Sequence, residues 1–138
     1  MAVIRVVVVD DDDDLREALT EVLAADGRFE VVGTGASADE AVAVTTATRP
    51  HVVLLDVRMP GGGVEAARAI CQPDWTGGLG PADGVPVVVA VSAQTGVAAV
   101  VSMLRAGAVG YLAKGRLRDL PDLVAATLDE LVTDGYHP

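Results

Sequence analysis

The stretch Val52–Gly63, VVLLDVRMPGGG, is an apolar run that stops on an acid and then turns. Val52–Leu55 has no polar member, so it reads as a strand buried on both faces, as strands of a parallel sheet are. Asp56 stands at its end. Met59–Gly63 reads as a turn, and Val64–Cys71 as a short helix. The same unit recurs on either side. Ile4–Val9 is apolar apart from Arg5 and ends on Asp10 and Asp11. Phe29–Val32 reads as a second strand. Val87–Val91 is the fourth and ends at Ser92; Gly110–Ala113 is a short fifth and ends at Lys114.

Helical signals separate the strands. Asp14 stands three residues before Glu17, and Ser37 three before Glu40, the spacing of a capping box. Leu15, Ala18, Leu19, Val22 and Leu23 follow the first box at helical spacing, and Gly27 ends that helix. Arg49-Pro50 closes the second. Val97–Ala106, stopped by Gly107, is the fourth helix. Pro121–Val132 is the fifth, with Leu120, Leu123, Val124, Leu128 and Leu131 along one stripe. Alternating strands and helices predict an α/β fold with a parallel sheet and right-handed crossovers.

Composition sets limits. A chain of 138 residues fits one domain, so residues 1–138 are expected to form it with no output domain inside. Apolar residues make up 51% and aromatics 3%, so the core must be Val, Leu, Ile and Ala. A net charge of −10 argues against direct nucleic-acid binding, which needs clustered Lys and Arg. The single cysteine, Cys71, excludes an internal disulfide and reads as a small buried residue; this fits a reducing cytoplasm. No apolar run has the length of a membrane span, and Met1–Val9 reads as strand rather than signal peptide. Neither His51 nor His137 has a ligand role in this reading. Residues 72–86, with Trp75 among them, read as a long loop of unassigned role.

The polar residues at the strand ends carry the functional signal. In an open parallel sheet these ends share one edge, and ligands bind where strand order reverses. Asp10, Asp11, Asp56, Ser92 and Lys114 are therefore expected together. Three close carboxylates repel one another, which a hard divalent cation and Lys114 would offset. An aspartate beside such a cation is a suitable nucleophile toward phosphorus.

VVVVDD at Val6–Asp11, VVLLDVRMPGGG at Val52–Gly63, VSA at Val91–Ala93 and AGAVGYLAKG at Ala106–Gly115 together resemble the receiver domains of two-component response regulators. The resemblance covers essentially the whole chain. It implies a flavodoxin-like (βα)5 three-layer sandwich with strand order 2-1-3-4-5. It implies that Asp56 is the phospho-acceptor, and that Asp10, Asp11, Asp56 and the Arg58 backbone carbonyl hold Mg²⁺ or Mn²⁺. Ser92 and Lys114 would contact the phosphoryl group, Tyr111 would be the switch residue, and Arg58 and Gln94 would tune dephosphorylation. A sensor histidine kinase is the implied phosphodonor, in the cytoplasm. Phosphotransfer and autodephosphorylation would be self-catalysed, with no other enzymatic activity. The resemblance also admits a homodimer, and an output in transcription regulation. Three features depart from the family pattern: Gly115 follows the lysine where many members have proline, residues 72–86 are long, and Asp12 and Asp13 extend the acidic pair.

Three alternatives compete. A degenerate receiver used only as a docking module is one, and the intact Asp11, Asp56, Ser92 and Lys114 set argues against it. Asp10-Asp11-Asp12 after a strand also resembles the nucleophile motif of haloacid-dehalogenase-type phosphatases, with Asp10 as nucleophile and Asp12 as general acid. Gly33–Ala38 imitates a dinucleotide fingerprint but follows the second strand, whereas that fingerprint belongs to the first.

Overall fold

Valine-rich runs form the centre of the sheet because branched side chains pack well on a pleated surface covered on both faces. In the computed structural model, which describes residues 3–71, 86–92, 97–113, 115 and 117–133, the strands are β1 (Ile4–Val9), β2 (Phe29–Gly35), β3 (Val52–Asp56), β4 (Val87–Ser92) and β5 (Gly110–Ala113). The helices are α1 (Asp13–Ala24), α2 (Ala38–Thr48), α3 (Gly63–Cys71), α4 (Val97–Ala106) and α5 (Leu120–Thr133), the last preceded by a 3₁₀ turn at Leu117–Asp119. All strand pairs are parallel and the order is β2-β1-β3-β4-β5, a flavodoxin-like three-layer sandwich.

The period of two along each strand sorts the core into two layers. Val7, Val9, Val53, Leu55, Val88 and Ala90 face α2, α3 and α4, meeting Ala41, Ala66, Ala67, Ile70 and Met103. Val6, Val8, Val52, Leu54, Val87 and Val89 face α1 and α5, meeting Leu19, Leu23, Leu120 and Val124. Small alanines on the first face let helices lie close to the sheet. Leu54 and Leu55 are almost wholly buried; truncating either to alanine costs about 2–5 kcal/mol, a large share of a domain's stability.

Four expectations are corrected. The cap of α1 is Asp12, whose carboxylate accepts the Leu15 N–H at 3.1 Å; Asp14 lies inside the helix, because the chain turns immediately after Asp11. β2 runs on to Gly35 rather than stopping at Val32. Its pairing with β1 skips Val32, with Val6 opposite Val31 and Val7 opposite Gly33, and the bulge carries the glycines on into the ladder. Gly33 and Gly35 are thus strand residues and form no phosphate-binding loop. On α5, Leu120 and Val124 are buried but Leu123 is exposed, since it sits one residue, about 100°, before Val124 on the helix. Cys71 is only half-buried. The Leu131 side chain and residues 72–85, Trp75 included, lie outside the described residues. Among the described residues no helix is long and apolar enough to cross a membrane.

The edge of the sheet where strands begin is fastened by polar contacts. The Arg5 guanidinium donates to the carbonyls of Arg49 at 2.9 Å and Thr48 at 2.5 Å, capturing two of the open carbonyls at the end of α2. Arg49 itself adopts the left-handed conformation that ends the helix, at φ 49°. The Arg5 N–H donates to His51 Nδ1 at 2.9 Å, and the His51 N–H donates to the Arg5 carbonyl at the same distance. Arg28 bridges the Asp26 and Asp122 carboxylates, joining the start of β2 to α5.

His51 Nδ1 can accept only while it is unprotonated. Burial, and then the Arg5 charge, lower its pKa from the ordinary 6.5. The unfolded chain therefore takes up the proton first as pH falls, so this contribution is complete above 6.5 and is lost on descending through the folded pKa. The urea midpoint should fall between about pH 7.5 and about pH 5.5, and fall less in His51→Gln, whose amide oxygen can accept the same N–H. Equal declines in the two proteins would refute this account of His51.

Candidate functional site

The switch point lies between β1 and β3, because β2 continues the sheet from β1 on one side while β3, β4 and β5 continue it on the other. Val9 pairs with Leu55, so Asp10 follows β1 level with Asp56 at the end of β3. One carboxylate oxygen from each of Asp10, Asp11 and Asp56 lies within 4.8 Å of the other two. Asp10 and Asp56 are 1% and 5% exposed, whereas Asp11 faces solvent. Two ionised carboxylates 4.8 Å apart repel by about 3 kcal/mol at an effective dielectric near 20. A cation among them would offset that repulsion. Three hard oxygen donors, two of them sheltered, suit a magnesium-like cation that keeps part of its water shell.

The flanking loops fix these carboxylates. Asp10 Oδ1 accepts the Asp12 N–H at 2.9 Å, a two-residue Asx-type turn. The Arg16 guanidinium reaches back from α1 to the Asp10 carbonyl at 2.8 Å and the Asp13 carboxylate at 2.6 Å. Asp56 Oδ1 accepts the Arg58 N–H at 3.3 Å, while the Arg58 side chain stays in solvent. The Gly63 N–H donates to the Val57 carbonyl at 3.1 Å. A Cβ at Gly63 would collide with the Asp56 carbonyl and with Val57, so glycine lets α3 begin against the end of β3.

Ser92 is 5% exposed and ends β4, the next strand, where Asp56 pairs with Val91. Across the following pair Ser92 is level with Ala113 at the end of β5. Tyr111 lies on β5 opposite Ala90, half-buried against the core layer that holds Met103 and Ala106. Lys114 and Gln94 fall outside the described residues. The structure thus brings Asp10, Asp11 and Asp56 together and sets Ser92 on the same edge.

Arg16 was not legible as a site residue. Its only signal is an arginine in the first turns of a helix that follows an acidic strand end. The extra acids also have work to do: Asp12 caps α1 and Asp13 pairs with Arg16. With its carboxylate turned to the Leu15 N–H, Asp12 does not support the phosphatase alternative, which needs it as an acid over Asp10. Cys71 is no competing nucleophile, since burial pushes its thiol up to about 11.

Comparison with known proteins agrees with this geometry. The family model described as response regulator receiver domain matches residues 6–126. The chain is 40% identical to the response regulator GacA of Pseudomonas protegens over 115 residues, which cover 81% of this chain and 49% of that protein. It is 37% identical to protein-glutamate methylesterase/protein-glutamine glutaminase 1 of Pseudomonas aeruginosa, over 94% of this chain and 34% of that one. It is 34% identical to the DNA-binding transcriptional activator DevR/DosR of Mycobacterium tuberculosis, over 80% of this chain and 48% of that one. Among solved structures, the signal receiver domain of the response regulator NarL from Mycobacterium tuberculosis superposes with a TM-score of 0.77 at 30% identity, covering 93% of this chain and 98% of that one. The chain spans about half or less of the length of these curated relatives.

A cation that binds the folded cluster must stabilise the fold by mass action. Mg²⁺ at about ten times its Kd should add about 1.4 kcal/mol, a rise in Tm of roughly 5 °C for a domain of this size. Asp11→Asn replaces one of the three carboxylates with a neutral amide oxygen and should abolish most of the shift. A Tm that rises equally in both proteins would place the cation elsewhere.

Proposed function

Because the chain belongs to the response regulator receiver domain family, we propose that it is a phosphorylation switch that takes a phosphoryl group onto Asp56 from a sensor histidine kinase. The observation that carries this reading is the meeting of the Asp10, Asp11 and Asp56 carboxylates at the β1/β3 switch point. An Asp56 carboxylate oxygen attacks phosphorus; the O–P bond forms as the N–P bond of the phosphohistidine breaks, and its electron pair returns to the imidazole. Hydrolysis later restores the carboxylate and releases phosphate. Mg²⁺ or Mn²⁺, held by Asp10, Asp11, Asp56 and the Arg58 carbonyl, would supply the charge that neutralises the phosphoryl oxygens.

The protein's own groups do the rest. The Arg58 N–H and the turn that follows aim the Asp56 carboxylate. Ser92, on the neighbouring strand end, and Lys114, after β5, receive phosphoryl oxygens. Tyr111 sits half-buried beside the α4 layer, where a rotamer change would follow a shift of Ser92. Arg58, two residues after the acceptor, and Gln94, two residues after Ser92, set how readily water reaches the acyl phosphate. Outside this self-catalysed transfer and loss, the domain has no enzymatic role in our reading.

We assign residues 1–138 to the receiver alone and place it in the cytoplasm. The acidic balance speaks against direct contact with nucleic acid by this segment. The relatives carry different activities in their names, a methylesterase/glutaminase and a transcriptional activator among them. We favour transcription regulation, on the likeness to DevR/DosR, with a homodimer as the state the output would read.

Incubation with a radiolabelled phosphodonor and Mg²⁺ should label the wild type, and Asp56→Asn should take up none. Asp10→Asn should label slowly, since it weakens the cation site but keeps the acceptor. Labelling that survives in Asp56→Asn and vanishes in Asp10→Asn would instead favour the phosphatase reading.

A further inference from the structure

The turn between β2 and α2 gives no side chain to the acidic cluster, yet it holds both loops that do. On one side the Gly35 carbonyl accepts the N–H of Asp10 at 3.0 Å. On the other, the Ala38 N–H donates to the Pro60 carbonyl at 2.9 Å, in the loop that follows Asp56. Ala38 is the first residue of α2, so its N–H is one of the donors a helix leaves open at its start. Here the acceptor loop itself fills that vacancy.

The turn is stiff for local reasons. Ser37 Oγ accepts the Glu40 N–H at 3.2 Å, and the Glu40 carboxylate accepts the Ala36 N–H at 3.2 Å. This is a capping box whose return bond lands one residue before the cap. The loop it grips is equally constrained. Met59 is buried, and the Gly62 N–H donates to its carbonyl at 2.8 Å. Gly61 adopts φ 85°, and a Cβ there would stand 2.7 Å from the Ala38 Cβ. Four residues, Gly35–Ala38, therefore span from the loop of Asp10 and Asp11 to the loop of Asp56. Mutual repulsion of the three carboxylates works to part these loops, and this span opposes it.

We propose that the Gly35–Ala38 turn, docked on Pro60 and Gly61, is a positioning bracket that sets the separation of Asp10 and Asp11 from Asp56, and so the affinity of the site for a divalent cation. The proposal rests on the metal reading given above. Its residues touch neither cation nor phosphoryl group; they act through the two loops. Groups that orient metal ligands typically change affinity by about 10–100-fold when altered.

Electron paramagnetic resonance of free Mn²⁺ gives the dissociation constant directly, and a urea midpoint without metal reports the fold. Mn²⁺ binding by the wild type that Asp11→Asn abolishes comes first; without it the metal reading falls, and the bracket with it. Given that binding, Gly61→Ala should weaken Mn²⁺ roughly tenfold. Ala38→Gly in the same chain removes the opposing Cβ and should recover part of the loss, since the strain of an alanine at φ 85° remains. Ser37→Ala should weaken binding by a smaller factor, and Ser37→Thr, which keeps the cap, should not. Arg28→Ala, at the opposite edge of the sheet, should lower the urea midpoint and leave the Mn²⁺ constant unchanged. The proposal is overturned if Gly61→Ala and Ser37→Ala bind Mn²⁺ as the wild type does, or if the constant simply follows the urea midpoint through every variant, Arg28→Ala included.

Discussion

Like charges held within a few ångströms are the constraint on which the rest of this structure depends. Asp10 and Asp56 are nearly sealed from water and share their space with Asp11. No loop would keep them there unaided. The sheet does so because β1, β3 and β4 are buried on both faces, and their apolar registers admit no slip: a one-residue shift would move every valine to the wrong layer. Apolar burial thus supplies the rigidity, and charge is confined to the single edge where strands stop.

That edge is built from backbone as much as from side chains. The Asp10 amide, its carbonyl and one carboxylate oxygen are each committed, to Gly35, Arg16 and Asp12. The opposite edge is fastened by Arg5, His51, Arg28 and the C-terminal carbonyls of α2. Function and fastening occupy different ends of the same strands, so a change at one end need not be felt at the other. This separation suits the proposed phosphorylation switch, in which a cation and a covalent charge would enter at one end while the core stays unchanged.

Most of the fold was legible in the sequence. The runs at Ile4–Val9, Val52–Leu55 and Val87–Val91 have one reading, because strands covered on both faces are almost wholly apolar, with Arg5 near the start of β1 the one polar member. The boundaries of α4 and β5 follow from Gly107 and from the apolar segment before Lys114. Sequence and structure differ where one signal has two carriers. Three acids in a row each can cap a helix, and only geometry selects Asp12. Gly-Thr-Gly looks like a strand end, and only the bulge at Val32 shows that pairing continues. Leu123 belongs to the leucine pattern of α5 yet falls outside the arc that the sheet covers.

The site divides along the same line. Asp10, Asp11, Asp56 and Ser92 could be read because their chemistry is in their side chains and their place is at strand ends. Arg16 could not, since its contact is a carbonyl that any residue would offer. The β2–α2 turn could not either: Gly35 and Pro60 contribute carbonyls and Ala38 an N–H, atoms that every neighbouring residue type also carries. Only Gly61 leaves a trace, and a glycine in a Met-Pro-Gly-Gly-Gly turn has an ordinary explanation in turn formation alone. What sets the separation of the acids is therefore a register of backbone atoms. It becomes visible only when the turn after β2 is seen lying between the loops that leave β1 and β3.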